Sequence, residues 1–260
     1  VAVLVRGTKK ISRQGREFLP GIAMPSSPCL RGLVTDIDGT ITDPKRRIHL
    51  GAINAIRDLV DKGIPVVLAS GNTSCFLDAI SKMIGTSGVY IGENGGIIRS
   101  GYGHDLILLG DGEPPRRAFD YLVHVFNNRG VVLEPYSIPY RFVDVAFART
   151  VHVPDVREIL QDHPVEVLDT GFAIHLHPPG VSKGEAFSHL ATLMGLTTSD
   201  FLAVGDAEND IDLLTRAGIG IAVANAHPDL ARSADRVTEK EYGDGFVEAV
   251  KEYSRYFLER

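Results

Sequence analysis

A chain of 260 residues that is 44% hydrophobic and 23% charged can build a sizeable core, as one large domain or a main domain carrying a smaller one. No apolar run reaches the roughly 18 residues that span a bilayer, and a net charge of −6 argues against a general nucleic-acid binder. Cys29 and Cys75 are too few for a disulfide framework and lack zinc-type spacing, so a reducing, cytoplasmic setting is expected.

Residues 1–28 differ in composition from the rest of the chain. Arg6, Lys9, Lys10, Arg13 and Arg16 meet one acid, Glu17, and Pro20, Pro25 and Pro28 punctuate the end. The expected reading is a disordered extension ahead of the domain, with a basic presequence as the alternative. No apolar stretch of about 7–15 residues precedes a small-residue cleavage site, so secretion is not expected. Met24 stands where a shorter chain would begin.

Leu33–Thr35 is a short apolar run that breaks into Asp36-Ile-Asp38-Gly39-Thr40, a buried strand ending in a loop. Leu50–Asp61 carries Ala52, Ile53, Ile56, Leu59 and Val60 at helical spacing, with Gly63 as the stop. Ile64–Ala69 is continuously apolar, as a parallel strand covered on both faces must be, and ends in Ser70-Gly71-Asn72. A second helix to about Ile84 and a strand at Val89–Ile91 complete a doubly wound α/β alternation.

After the hairpin signal Asn94-Gly95-Gly96 the pattern changes. Ile97-Ile98 and Leu106–Leu109 read as strands, Arg117–Asn128 as a helix, Tyr140–Ala148 as an alternating strand and Val153–Asp162 as a helix. Val165–Leu168 and Phe172–Leu176 make a hairpin turning at Asp169-Thr170-Gly171. The alternation resumes with a helix from Lys183, a strand at Phe201–Val204, a helix from Ala207 and a strand at Ile219–Val223. The predicted architecture is a doubly wound parallel α/β core, 29–97 and 179–260, with an α+β insert at 98–178.

Ligands in open parallel sheets bind beyond the carboxyl ends of the strands, and four such ends carry chemistry here. Asp36 and Asp38, one residue apart, repel unless a cation neutralises them or one is protonated. Either outcome suits phosphoryl transfer, one carboxylate attacking phosphorus and the other acting as acid and base. Asp206 and Asp210, four apart at a helix start, offer hard oxygens of the kind Mg²⁺ takes. Ser70, Gly71, Asn72, Lys183 and Asn209 are candidates for binding the substrate's phosphate oxygens. Taken singly each motif has a bland reading as an Asx-turn, a helix cap or an exposed lysine. Four of them at successive strand ends do not.

With these motifs (Thr35–Thr40, Ala69–Asn72, Lys183 and Val204–Asp210) the chain resembles the haloacid-dehalogenase-like phosphatases over roughly residues 30–250. The resemblance implies Asp36 as nucleophile, Asp38 as acid/base, and Ser70 and Lys183 as phosphate ligands. It implies Mg²⁺ held by Asp36, the Asp38 carbonyl and Asp206, with Asp210 in or beside the shell. The insert corresponds to the type-two cap of the Cof-like branch. Gly171–Leu176, the Pro-Gly-Val-Ser-Lys-Gly run and Lys240–Gly245 look like the archaeal phosphoglycolate phosphatases.

The expected partner is a small phosphorylated substrate such as 2-phosphoglycolate, with no nucleic acid or membrane; a homodimer is left open. A sugar-phosphate phosphatase and a non-hydrolytic Asp phosphoacceptor are the alternatives, and Asp38 argues against the second. Arg141 and Arg149, flanking the Tyr140–Ala148 strand, are candidates for a substrate carboxylate, or else solvated surface charges. His175 and His177 are read as packing or inter-domain contacts rather than metal ligands, since no third ligand accompanies them. Asn225 is read as a helix cap.

Overall fold

β1 (Gly32–Asp36) and α1 (Leu50–Asp61) begin the alternation, followed by β2 (Val66–Ala69), α2 (Ser74–Ile84) and β3 (Val89–Gly92). This computed structural model describes residues 29–258, and the extension expected at 1–28 lies outside them. The chain then reverses at Asn94 and Gly95, both at positive φ, into β4 (Ile97–Ser100) and β5 (Ile107–Leu108). The hairpin signal is thus a hairpin turn, with Gly92 opposite Ile97.

The sequence pattern assigns β4 and β5 to the insert, but they extend the large sheet as two antiparallel edge strands, so that sheet runs past residue 97. A short apolar run has the same pattern whichever sheet it joins, and here the tight turn returns it to β3.

The insert proper comprises α3 (Glu113–Asn128), β6 (Val145–Ala148), α4 (Val153–Ile159), β7 (Glu166–Asp169) and β8 (Ala173–His177). Its antiparallel sheet has the order β6-β8-β7 and its own apolar cluster, from Ala118 to Leu176. α3 starts four residues earlier than expected because Pro114 and Pro115 fit a helix's first turn, whose N–H groups need no intrahelical partner. The strand expected from Tyr140 begins only at Val145; Tyr140 closes a 3₁₀ turn, Ile138–Tyr140.

α5 (Lys183–Leu193), β9 (Phe201–Gly205), α6 (Ile211–Arg216), β10 (Ile219–Ala222), α7 (Pro228–Ser233), β11 (Arg236–Val237) and α8 (Tyr242–Tyr253) complete the core. The large sheet has the order β11-β10-β9-β1-β2-β3-β4-β5. Period-two alternation splits its buried side chains between two clusters. Leu33, Leu68 and Val204 meet α1 and α8 on one face, while Val34, Val67 and Ala203 meet α5 and α6 on the other. The four chemical loops leave β1, β2 and β9, or open α5, all near one edge of the sheet. No helix among the described residues is long and apolar enough to cross a membrane.

Candidate active site

The loops converge on a cavity of about 410 Å³ that also takes Tyr136, Arg141, Ala146 and His175 from the insert. β8 explains how one strand serves both sides. Its Ile174 and Leu176 enter the insert's apolar cluster, and Ala173 and His175 alternate onto the cavity face.

Lys183 is the hub. Ser182 caps α5 by accepting from the Glu185 N–H, which places Lys183 in the first turn with its side chain buried. Its Nζ lies 2.6 Å from Asp36 Oδ1 and 2.7 Å from Asp210 Oδ1. The other Asp210 oxygen accepts from the backbone N–H groups of Asp206 and Ala207 at 3.2 and 3.1 Å. Both oxygens of Asp210 are therefore engaged in bracing the loop. The helix expected from Ala207 accordingly starts later, after a single 3₁₀ turn at Glu208–Asp210.

Asp36 and Asp206 are freer. Asp36 Oδ2 is buried with no hydrogen-bond partner, and Asp206 Oδ1 accepts from Thr40 Oγ1 at 3.2 Å. Gly39, at φ 89°, lets the first loop pass against Asp206, since a Cβ there would fall 2.1 Å from Asp206 Oδ2. Asp38 is held apart from this cluster, its Oδ1 accepting from Arg46 Nε and its Oδ2 from Asn72 Nδ2, each at 3.0 Å. Asn72 Nδ2 also donates to Ser70 Oγ at 2.9 Å, and Gly71 accepts through its carbonyl from Arg141 Nη1 at 3.1 Å.

The electrostatics call for a cation. Asp36, Asp206 and Asp210 present carboxylate oxygens within 4.8 Å of one another, and Lys183 is the one ammonium bonded among them. Three negative charges against one positive leave a deficit that a divalent ion would cancel. Burial raises the Asp36 carboxyl well above its ordinary value, Lys183 opposing and Asp210 and Asp206 adding to the rise. Burial, then Asp210, pushes Asp206 up to about 7. The Lys183 ammonium is held above its usual value, because Asp210 and Asp36 outweigh its burial. An unpartnered buried oxygen on Asp36 and an all-carboxylate donor set fit Mg²⁺.

Several expectations change at this site. Arg149 pairs with Asp169 on the surface at 2.8 Å and does not line the cavity, whereas Arg141 is buried and does. His175, as expected, makes a contact between insert and core: its Nδ1 is 2.8 Å from Asp144 and 3.1 Å from Asn94. Asn225 does not cap α7, the helix that follows it, since α7 is capped by His227. It ties the first loop to the C-terminal part instead, donating to the Gly39 carbonyl at 3.0 Å and accepting from the Tyr242 N–H at 2.6 Å.

Three site residues carry no clear sequence signal. Arg46, at φ 62°, reaches Asp38 and stacks over the Phe172 ring, 4.8 Å from its centroid. Glu93 is buried and accepts from the N–H groups of Phe142, Val143 and Asp144, anchoring the insert to the core. Asn94, whose sequence context indicates only a turn, is hydrogen-bonded to Asn209 at 3.0 Å. The one hint for the last two is their place in the loop after β3, another strand end.

Residues 33–133 and 145–250 match the model of the haloacid dehalogenase-like hydrolases. A protein of Methanoculleus marisnigri named phosphoglycolate phosphatase is 57% identical over 233 residues, 89% of this chain and 100% of the relative. One of the same name from Methanothermobacter thermautotrophicus is 41% identical over 224 residues, covering 86% and 99%. Among solved structures, Thermoplasma acidophilum 0175 superposes with a TM-score of 0.74 at 25% identity, over 87% of this chain and 98% of that one. A Bacteroides thetaiotaomicron phosphatase of the HAD superfamily shares the fold, with a TM-score of 0.72 at 20% identity over 92% and 99%. On this footing the chain belongs to the haloacid dehalogenase-like hydrolases.

Proposed function

We propose that this hydrolase is a Mg²⁺-dependent phosphatase that cleaves 2-phosphoglycolate to glycolate and phosphate through an aspartyl phosphate on Asp36. The observation that carries the reading is the cluster of three carboxylates, two of them bonded to Lys183, with one Asp36 oxygen unpartnered and Asp38 lining the same cavity. Asp36, the Asp38 carbonyl and Asp206 would hold Mg²⁺, which when bound neutralises charge on the phosphoryl group.

In the first half-reaction an Asp36 oxygen bonds to phosphorus as the ester P–O bond breaks, and Asp38 gives its proton to the departing oxygen. In the second, Asp38 takes a proton from water, whose oxygen bonds to phosphorus and frees Asp36 and inorganic phosphate. Arg46 and Asn72, each bonded to Asp38, hold it in place for both proton transfers. Lys183 and Ser70 bind the non-bridging phosphoryl oxygens.

Arg141 supports the choice of a carboxylate-bearing substrate. Its Nε and Nη1 are occupied by Tyr136, Gly71 and Asp144, while Nη2 has no hydrogen-bond partner among the described residues. An unpaired guanidinium nitrogen on an otherwise buried arginine at the cavity wall suits a small anion. The 57% identity to a relative named for this activity points the same way. The test is kcat/KM on phosphoglycolate, several sugar phosphates and p-nitrophenyl phosphate, with Mg²⁺ and with excess EDTA. Full activity in EDTA would end the metal role, and a sugar phosphate ranking first would end the substrate assignment.

A further inference from the structure

A buried row of polar groups runs from the insert to the fourth loop, and its hydrogen-bond directions are constrained from one end. Arg141 Nη1 donates to Asp144 Oδ1 at 2.6 Å, and Asp144 Oδ2 lies 2.8 Å from His175 Nδ1. Burial alone would raise the Asp144 carboxyl, but His175 and Arg141 outweigh it and hold it below its ordinary value. Asp144 is thus a carboxylate, which only accepts, so Nδ1 carries the proton.

The same Nδ1 is 3.1 Å from the Asn94 amide, whose other terminal atom is 3.0 Å from the Asn209 amide. Which end of an amide is oxygen is decided by its partners. With Nδ2 of Asn94 toward His175, two donors would confront each other. Turned over, Asn94 offers its oxygen to the Nδ1–H that Asp144 also accepts, a bifurcated bond, and donates to Asn209, which must answer with its oxygen. The remaining terminal position of Asn209 is buried without a partner, on a residue that lines the cavity. In this arrangement that position is an N–H donor. The opposite one would aim a carbonyl lone pair at an anionic substrate.

We infer that Asp144, His175 and Asn94 are positioning residues that fix the Asn209 amide as a donor to an anionic phosphoryl oxygen. The insert thereby sets the polarity of a core group through Asn94. The inference rests on the proposed phosphatase activity.

The test is kinetics on p-nitrophenyl phosphate, which lacks the carboxylate assigned to Arg141. His175→Phe releases the row and Asn209→Ala removes its end. Each is expected to lower kcat/KM by roughly 10–100-fold, as for one hydrogen bond to a charged group. The double variant is expected to be no worse than Asn209→Ala alone. Asn94→Gly, which suits the φ of 55° at that position, breaks the row in the same way if His175→Phe does not fold. His175→Asn puts an amide nitrogen in the place of Nδ1 and is expected to rescue. Losses that multiply in the double variant, or a His175→Asn no better than His175→Phe, would overturn the inference. A wild-type enzyme inactive on this ester would instead overturn the phosphatase activity itself.

Discussion

Asp206→Asn should stabilise the metal-free protein at neutral pH. The Asp206 carboxyl titrates at about 7 in the folded chain against an ordinary 3.8, chiefly from burial and then from Asp210. A raised folded-state pKa means that ionising the group costs folding free energy. Stability is full below pH 4 and falls as pH rises through 7. At about 1.4 kcal/mol per unit, the penalty reaches on the order of 3–4 kcal/mol by pH 8. The amide keeps the shape and the Thr40 bond but not the charge. In EDTA, urea unfolding at pH 8 should show the variant more stable than wild type, and the two should converge as pH falls below 4. With Mg²⁺ the gap should close, because the wild type gains binding free energy, about 2.7 kcal/mol at a hundredfold excess over Kd and about 4.1 kcal/mol at a thousandfold. A variant less stable than wild type in EDTA at pH 8 would refute the reasoning, since the carboxylate would then be stabilised without any cation.

The other expectations are kinetic or steric. Asp36→Asn should leave the fold intact and reduce kcat below a few percent of wild type, measured on any ester the enzyme turns over; greater residual turnover would exclude Asp36 as the nucleophile. Arg141→Ala should cost roughly 2–5 kcal/mol in transition-state binding of phosphoglycolate, and much less on p-nitrophenyl phosphate. Arg149→Ala should change neither, its side chain being about half exposed and paired with Asp169. Equal losses on both substrates would remove Arg141 from specificity. Gly39→Ala should weaken Mg²⁺ binding, measured by titration calorimetry, because its Cβ would lie 2.1 Å from Asp206 Oδ2 at a φ of 89°.

The core is legible in the sequence because each of its signals is local. β1, β2 and β9 are apolar runs that end in polar loops, and α1 shows its period over twelve residues. Asp36 and Asp206 at strand ends and Lys183 in a helix's first turn stand out because charged groups there are costly to bury without a task. What stays hidden depends on contacts between distant segments. Arg141 and Arg149 flank one strand and look alike in sequence, yet one is buried against Asp144 and Gly71 and the other faces solvent. Glu93 accepts from three amides about fifty positions away, and no periodicity encodes that separation.

Gly95 shows the same limit from the other side. Its type announces a turn, and at φ 107° it makes one, but a Cβ there would also fall 2.1 Å from the Ser182 carbonyl. The residue that turns β3 back into β4 therefore also lets that loop press against the start of α5, where Lys183 enters the site. A substitution at Gly95 would displace Lys183 from Asp36 and Asp210 as well as strain the turn. The site is thus held by backbone approaches as much as by charged side chains, and only the charged side chains announce themselves in the sequence.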